Sequence, residues 1–150
     1  MNRTADYKTI VSWKGEHIGH IQMGNGPEMD FSAPPDAKGL PGVLTPEDAF
    51  VAAVNTCIMM MFLWSCERLK INLLSYVCQA VGTKLIELDH TEIFTQIKLT
   101  PEIRVRAEVE TIGSIEARIH RALQSAQKYS LVANSIKSEV IIEPVIEFTQ

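Results

Sequence analysis

The sequence predicts an α+β fold with the element order β-β-(β)-α-β-β-α-α-β, built as a single domain over residues 1–150. Three observations point there. One long apolar stretch, residues 45–64, opens with the signals of a helix start. Segments rich in β-branched and aromatic residues lie on both sides of it. Strand and helix patterns do not alternate along the chain, which argues against βα units and a parallel sheet.

The elements follow in order. Residues 7–13 (YKTIVSW) and 17–23 (HIGHIQM) read as two strands joined by the turn Lys14-Gly15-Glu16. His17 and His20 fall on opposite faces of a strand because their spacing is odd. They are therefore surface or edge residues and not a metal pair. Gly24-Asn25-Gly26-Pro27 is a second turn, and residues 28–32 form a third short strand. Residues 33–43 (APPDAKGLPGV) make a loop dense in proline and glycine that leads into the central helix.

That helix starts at Thr45, whose hydroxyl can cap a first-turn N–H. Pro46 suits the first helical position, where no N–H is needed. Glu47 and Asp48 put negative charge at the positive end of the dipole. From Ala49 onward the helix is apolar all round, so burial on every side is expected. One domain of this size buries roughly 70% of its unfolded surface, and wrapping such a helix is easier for two copies. A homodimer with paired central helices follows. Cys57 sits in the middle of the helix. Burial as a small apolar side chain is the ordinary fate of a free thiol.

Beyond the helix, residues 73–81 and 92–99 read as strands, with a turn within 82–91. Cys66 and Cys78 have no activating charge close in sequence and read as packing thiols. Residues 115–128 form an amphipathic helix with Ile115, Ile119 and Leu123 on one face and Ser114 as its cap. Residues 130–136 form a shorter helical turn. Residues 139–148 close the fold as one strand, where Pro144 implies an edge or a bulge.

Composition bounds the function. The chain is 46% hydrophobic and 21% charged, with a net charge of −4. No basic run with interleaved aromatics points to nucleic acid. The apolar run 49–64 is short of the ~20 residues that span a bilayer, so no membrane is implied, and the N-terminus lacks the apolar core of a signal peptide. Three cysteines without a CxxC make neither a disulfide framework nor a zinc site, and no metal or other cofactor is implied. A cytoplasmic protein with reduced thiols is expected.

Pro46-Glu47-Asp48-Ala49-Phe50 opens the helix, and Cys57 follows ten residues after Glu47. Trp13-Lys14-Gly15 stands early in the chain, and residues 126–136 (AQKYSLVANSI) precede the last strand. In these features the chain resembles the OsmC/Ohr family, the osmotically inducible protein C and organic hydroperoxide resistance proteins. The resemblance covers nearly the whole chain. It implies an intertwined homodimer with two long helices at its centre. It also implies thiol peroxidase chemistry, in which Cys57 attacks a hydroperoxide and becomes a sulfenic acid. Phe50, Met60 and Met61, with Met59 and Phe62, are candidates for an apolar wall that accepts an alkyl tail; as plain core residues they would look the same.

Glu47 is a candidate site residue. Ten residues of helix span about 15 Å, so it would serve Cys57 across a dimer or by ordering the loop. Otherwise it is first-turn charge alone. The chain departs from the family in two places. Ser130 stands where the resemblance puts the resolving cysteine, and Cys66 lies about 13 Å from Cys57 along the same helix. The family's N-terminal arginine has no counterpart but Arg3; Lys14 and Lys38 carry charge without a bidentate fork.

Three functions fit these residues. The first is a one-cysteine hydroperoxide reductase regenerated by an external thiol. The second is a non-catalytic dimer that binds an alkyl or acyl ligand or serves as a redox sensor. The third is a structural dimer with an inert Cys57.

Overall fold

The computed structural model describes residues 2–150. They group into two compact units, one ending at Phe50 and one spanning Val51–Gln150.

The N-terminal unit is an antiparallel sheet in the order β1 (Thr9–Gly15), β2 (Ile18–Met23), β3 (Glu28–Ser32). The first two strands turn through Gly15 and Glu16, both at positive φ, which glycine adopts without strain. Gly19 on β2 is needed for a different reason. A Cβ there would come within 2.5 Å of the Phe31 ring, so only glycine leaves room for that ring. The proline- and glycine-rich loop is closed by buried Ser32, whose Oγ donates to the Ala33 carbonyl and accepts from the Leu40 N–H. Leu44 then forms a parallel bridge with Phe31, and Thr45 Oγ1 accepts the Asp48 N–H at 3.1 Å as the expected cap.

The central helix α1 spans Pro46–Arg68. The expectation of burial on every side does not hold within one chain. Val54, Ile58, Phe62, Ser65 and Cys66 form one buried stripe. The opposite row, Ala52, Thr56, Met60 and Trp64, is exposed, with Met60 at 43% and Trp64 at 57%. A helix resting on a sheet covers one face only. At 23 residues, α1 is also longer than the apolar run suggested, and by length and composition alone it would pass as a membrane span. Its packed stripe gives it the character of a core helix.

In the C-terminal unit β4 (Leu73–Ile86) and β5 (Glu92–Arg106) form a long antiparallel hairpin. Both run past the expected ends, through Gly82 and through Pro101. Gly82 leaves room for α1: a Cβ there would lie 2.8 Å from Val51 Cγ2. The closing segment is two strands instead of one. β6 (Glu139–Ile142) and β7 (Val145–Thr149) both run parallel to β5, pairing with residues 96–99 and 102–106. The break falls at Glu143-Pro144, opposite Thr100-Pro101. Proline has no amide proton for a ladder, so the two prolines coincide where pairing is interrupted.

Helix α2 (Ile112–Tyr129) buries Ile119, Ala122, Leu123 and Ala126, the face its periodicity predicts. Ser114 lies inside this helix and is not its cap; a 3₁₀ turn, Val109–Thr111, leads in instead. Arg68 Nη2 donates to Ser125 Oγ and Arg118 Nη1 to the Leu69 carbonyl, tying α2 to the end of α1. The short α3 (Leu131–Asn134) follows after Ser130. Ile97, Leu99, Ile103 and Val105 of β5 complete the core.

Candidate functional site

Two side chains distant in sequence meet in the C-terminal unit. Cys57 projects half-buried from the middle of α1, and Ser130 sits fully buried at the junction of α2 and α3. The Ser130 Oγ–H donates to Cys57 Sγ at 3.1 Å. Ser130 leaves the helical conformation at φ −69° and ψ 115°, which is the geometry of an N-cap. Its Oγ accepts the Ala133 N–H at 3.2 Å. The hydroxyl thus accepts the Ala133 amide on one lone pair and donates its one proton to sulfur.

Among the described residues no lysine, arginine or histidine hydrogen-bonds to Cys57. Lys14, one candidate for the cationic role, is paired with Asp30 Oδ2 at 2.8 Å. Met60 and Met61 follow Cys57 at the spacings that put them on its side of α1. Met61 is half-buried and Met60 largely exposed.

The other two thiols differ from Cys57 in surroundings. Burial, reinforced by the Glu67 charge, pushes Cys66 up to about 12. Burial also raises Cys78, and the Cys78 carbonyl accepts from Asn55 Nδ2 at 3.2 Å. Cys66 is buried as a packing thiol would be, whereas Cys78 is half-buried.

In the N-terminal unit Phe50 lines an apolar cavity of about 460 Å³ with Val11, Ile21, Phe31, Leu44 and Ala49. Sequence reasoning picked Phe50 and missed the others. Val11 and Ile21 are cross-strand partners, so one face of the hairpin carried the signal. Glu47 stands half-buried in the first turn of α1.

The same unit holds a charged chain across its sheet. His20 Nδ1 bonds Asp30 Oδ1 at 2.8 Å and Nε2 bonds Glu28 Oε1 at 3.1 Å. The hydrogen bonds to Asp30 and then Glu28 raise the His20 pKa, and Lys14, then His20, lower that of Asp30. Among the described residues no cluster of three or more His, Cys, Asp or Glu has the geometry to hold a metal ion.

A family model described as OsmC-like protein matches residues 39–145. An OsmC-like protein from Vibrio cholerae superposes with a TM-score of 0.80 at 23% identity, covering 95% of this chain and 100% of its own. An OsmC-like protein from Mycoplasma pneumoniae gives 0.79 at 11% identity, over 97% and 99%. An organic hydroperoxide resistance protein from Elizabethkingia anophelis gives 0.68 at 14% identity, over 99% and 100%. At these identities the likeness is one of fold. A search of curated protein sequences finds no match.

Proposed function

The chain belongs to the OsmC-like protein family, and from that premise we propose that it is a thiol-dependent organic hydroperoxide reductase working with one cysteine. The observation that carries this reading is the Ser130–Cys57 contact: a half-buried sulfur with a hydroxyl donor 3.1 Å away. Cys57 is the peroxidatic residue. Its thiolate attacks the distal oxygen of the hydroperoxide, the S–O bond forms as the O–O bond breaks, and the proton of the hydroperoxide leaves with the alcohol. Sulfur loses two electrons and becomes a sulfenate. An external thiol then condenses with the protonated sulfenate, releasing water and leaving a mixed disulfide. A second external thiol displaces Cys57 and restores the thiolate.

No thiol of this chain takes the resolving role in the proposal. Ser130 occupies the place that the resemblance gives the resolving cysteine, and a hydroxyl forms no disulfide. Cys66 is held as a neutral, buried thiol. Met60 and Met61 flank the substrate's approach; within the N-terminal unit Phe50 offers apolar surface of its own and Glu47 acts by ordering the segment before α1.

We also propose that the working form is a homodimer, paired through α1, in the cytoplasm. The exposed row Ala52, Thr56, Met60 and Trp64 supports pairing, because an apolar helix face of this length is costly to leave in water. A second reading, an apolar-ligand binding protein, is favoured by the cavity of about 460 Å³ around Phe50, whose lining is almost wholly apolar.

The test compares hydroperoxide consumption by the protein and by Cys57→Ser, with saturating dithiol, for cumene hydroperoxide and hydrogen peroxide. Turnover of the organic peroxide that disappears with Cys57 supports the enzyme. Turnover no faster than the variant's removes it and leaves the ligand-binding reading.

A further inference from the structure

Ser130 is fully buried, and a buried hydroxyl must have its bonds accounted for. Both are accounted for here. The Ala133 amide occupies the oxygen at 3.2 Å, and the proton goes to Cys57 Sγ at 3.1 Å. A free serine hydroxyl can turn and offer sulfur either a proton or a lone pair. Here the Ala133 amide takes one of the two lone pairs, and the Oγ–H donates to sulfur. A donor held in that direction favours the charged form of its acceptor over the neutral form. Among the described residues no lysine, arginine or histidine hydrogen-bonds to Cys57, so the hydroxyl is the donor recorded at the sulfur.

We propose that Ser130 is a positioning residue whose hydroxyl, held in place by the Ala133 amide, stabilises the sulfur of Cys57 when it acts as a nucleophile. The inference rests on the reading of Cys57 as a reactive thiol and adds the group that makes it so. The serine is then a working part of the site, and the loss of a second cysteine there is a change of role.

The test is the rate of alkylation by iodoacetamide, read at the Cys57 peptide by mass spectrometry so that Cys66 and Cys78 do not contribute. Rates are taken across a range of pH for the native protein, Ser130→Ala and Ser130→Thr. A hydrogen bond to a charged group corresponds to about tenfold or more. Ser130→Ala is expected to react about tenfold more slowly near neutral pH, with its whole rate profile displaced to higher pH. Ser130→Thr, which keeps the hydroxyl, returns the profile most of the way. Should the alanine variant fail to fold, Ser130→Gly removes the hydroxyl while keeping an accepted capping residue.

Superimposable profiles for the native protein and a folded Ser130→Ala or Ser130→Gly would overturn the inference. So would a displaced profile that Ser130→Thr fails to restore, since the hydroxyl would then not be the cause. Because the readout uses no peroxide, its failure is separable from that of the enzyme reading. A Ser130-dependent profile in a protein that consumes no hydroperoxide keeps this inference and loses the reductase. Equal profiles with intact turnover do the reverse.

Discussion

The Ser130 hydroxyl and the Cys57 sulfur lie 3.1 Å apart although 73 positions separate them in the chain. The contact brings the two side-chain tips within reach of each other, and a disulfide would draw two sulfurs there to about 2.05 Å. Ser130→Cys should therefore form an intramolecular disulfide with Cys57 on mild oxidation. The check is intact mass under non-reducing conditions, together with the cross-linked peptide. Free thiols at both positions after oxidation would show that the two side chains do not meet in solution.

Phe62 anchors α1 to the sheet. It is fully buried, and its ring centroid lies 5.3 Å from that of Tyr76 on β4. Phe62→Ala removes a large buried ring and leaves a cavity, at a cost of about 3–5 kcal/mol. Urea unfolding should show this as a lower midpoint with an unchanged slope. A loss below about 1 kcal/mol would mean that this part of the core collapses freely onto the gap.

The N-terminal sheet should respond to pH through His20. Its folded pKa is raised above 6.5 by Asp30 and Glu28, so its contribution is complete below 6.5 and is lost as the pH rises through the raised value. Asp30 is lowered below 3.8, so its contribution is present above 3.8 and is lost as the pH falls through the lowered value. The network of Lys14, Asp30, His20 and Glu28 is partly exposed, so the effect is modest and weakens with salt. Thermal unfolding of the native protein should weaken between about pH 6 and about pH 8.5 more than that of His20→Asn. Parallel pH curves would show that the histidine contributes nothing.

Cys66 should be silent toward electrophiles in the native state. A thiol pushed up to about 12 by burial carries almost no thiolate near neutral pH. Peptide-level alkylation should find Cys66 modified only after denaturation, and Cys66→Ala should leave any hydroperoxide turnover intact. Rapid native labelling of Cys66 would mean that the end of α1 opens.

Local chemistry carried much of the fold into the sequence. The Thr45 cap, Pro46 and the two acids made the start of α1 legible, and the cap bond to the Asp48 amide is present. The three-strand meander and the periodic face of α2 followed from turn residues and spacing in the same way. The strand ends did not. Gly82 and Pro101 look like interruptions along the chain, yet β4 and β5 run through them because pairing on either side holds the register. Pro144 implied an irregularity without saying that it would separate two strands.

The site divides in the same manner. Sequence by itself determined which groups were available: a thiol on an apolar helix, a serine before a helical turn, and Phe50 in an apolar run. It could not choose which face of α1 would be covered, because a helix apolar all round carries no direction in its pattern. Tertiary packing made that choice, burying the stripe from Val54 to Cys66 and leaving Met60 and Trp64 exposed. It also decided what touches Cys57. Hydrogen bonds act over about 3 Å, and only the folded path of the chain brings Ser130 that near.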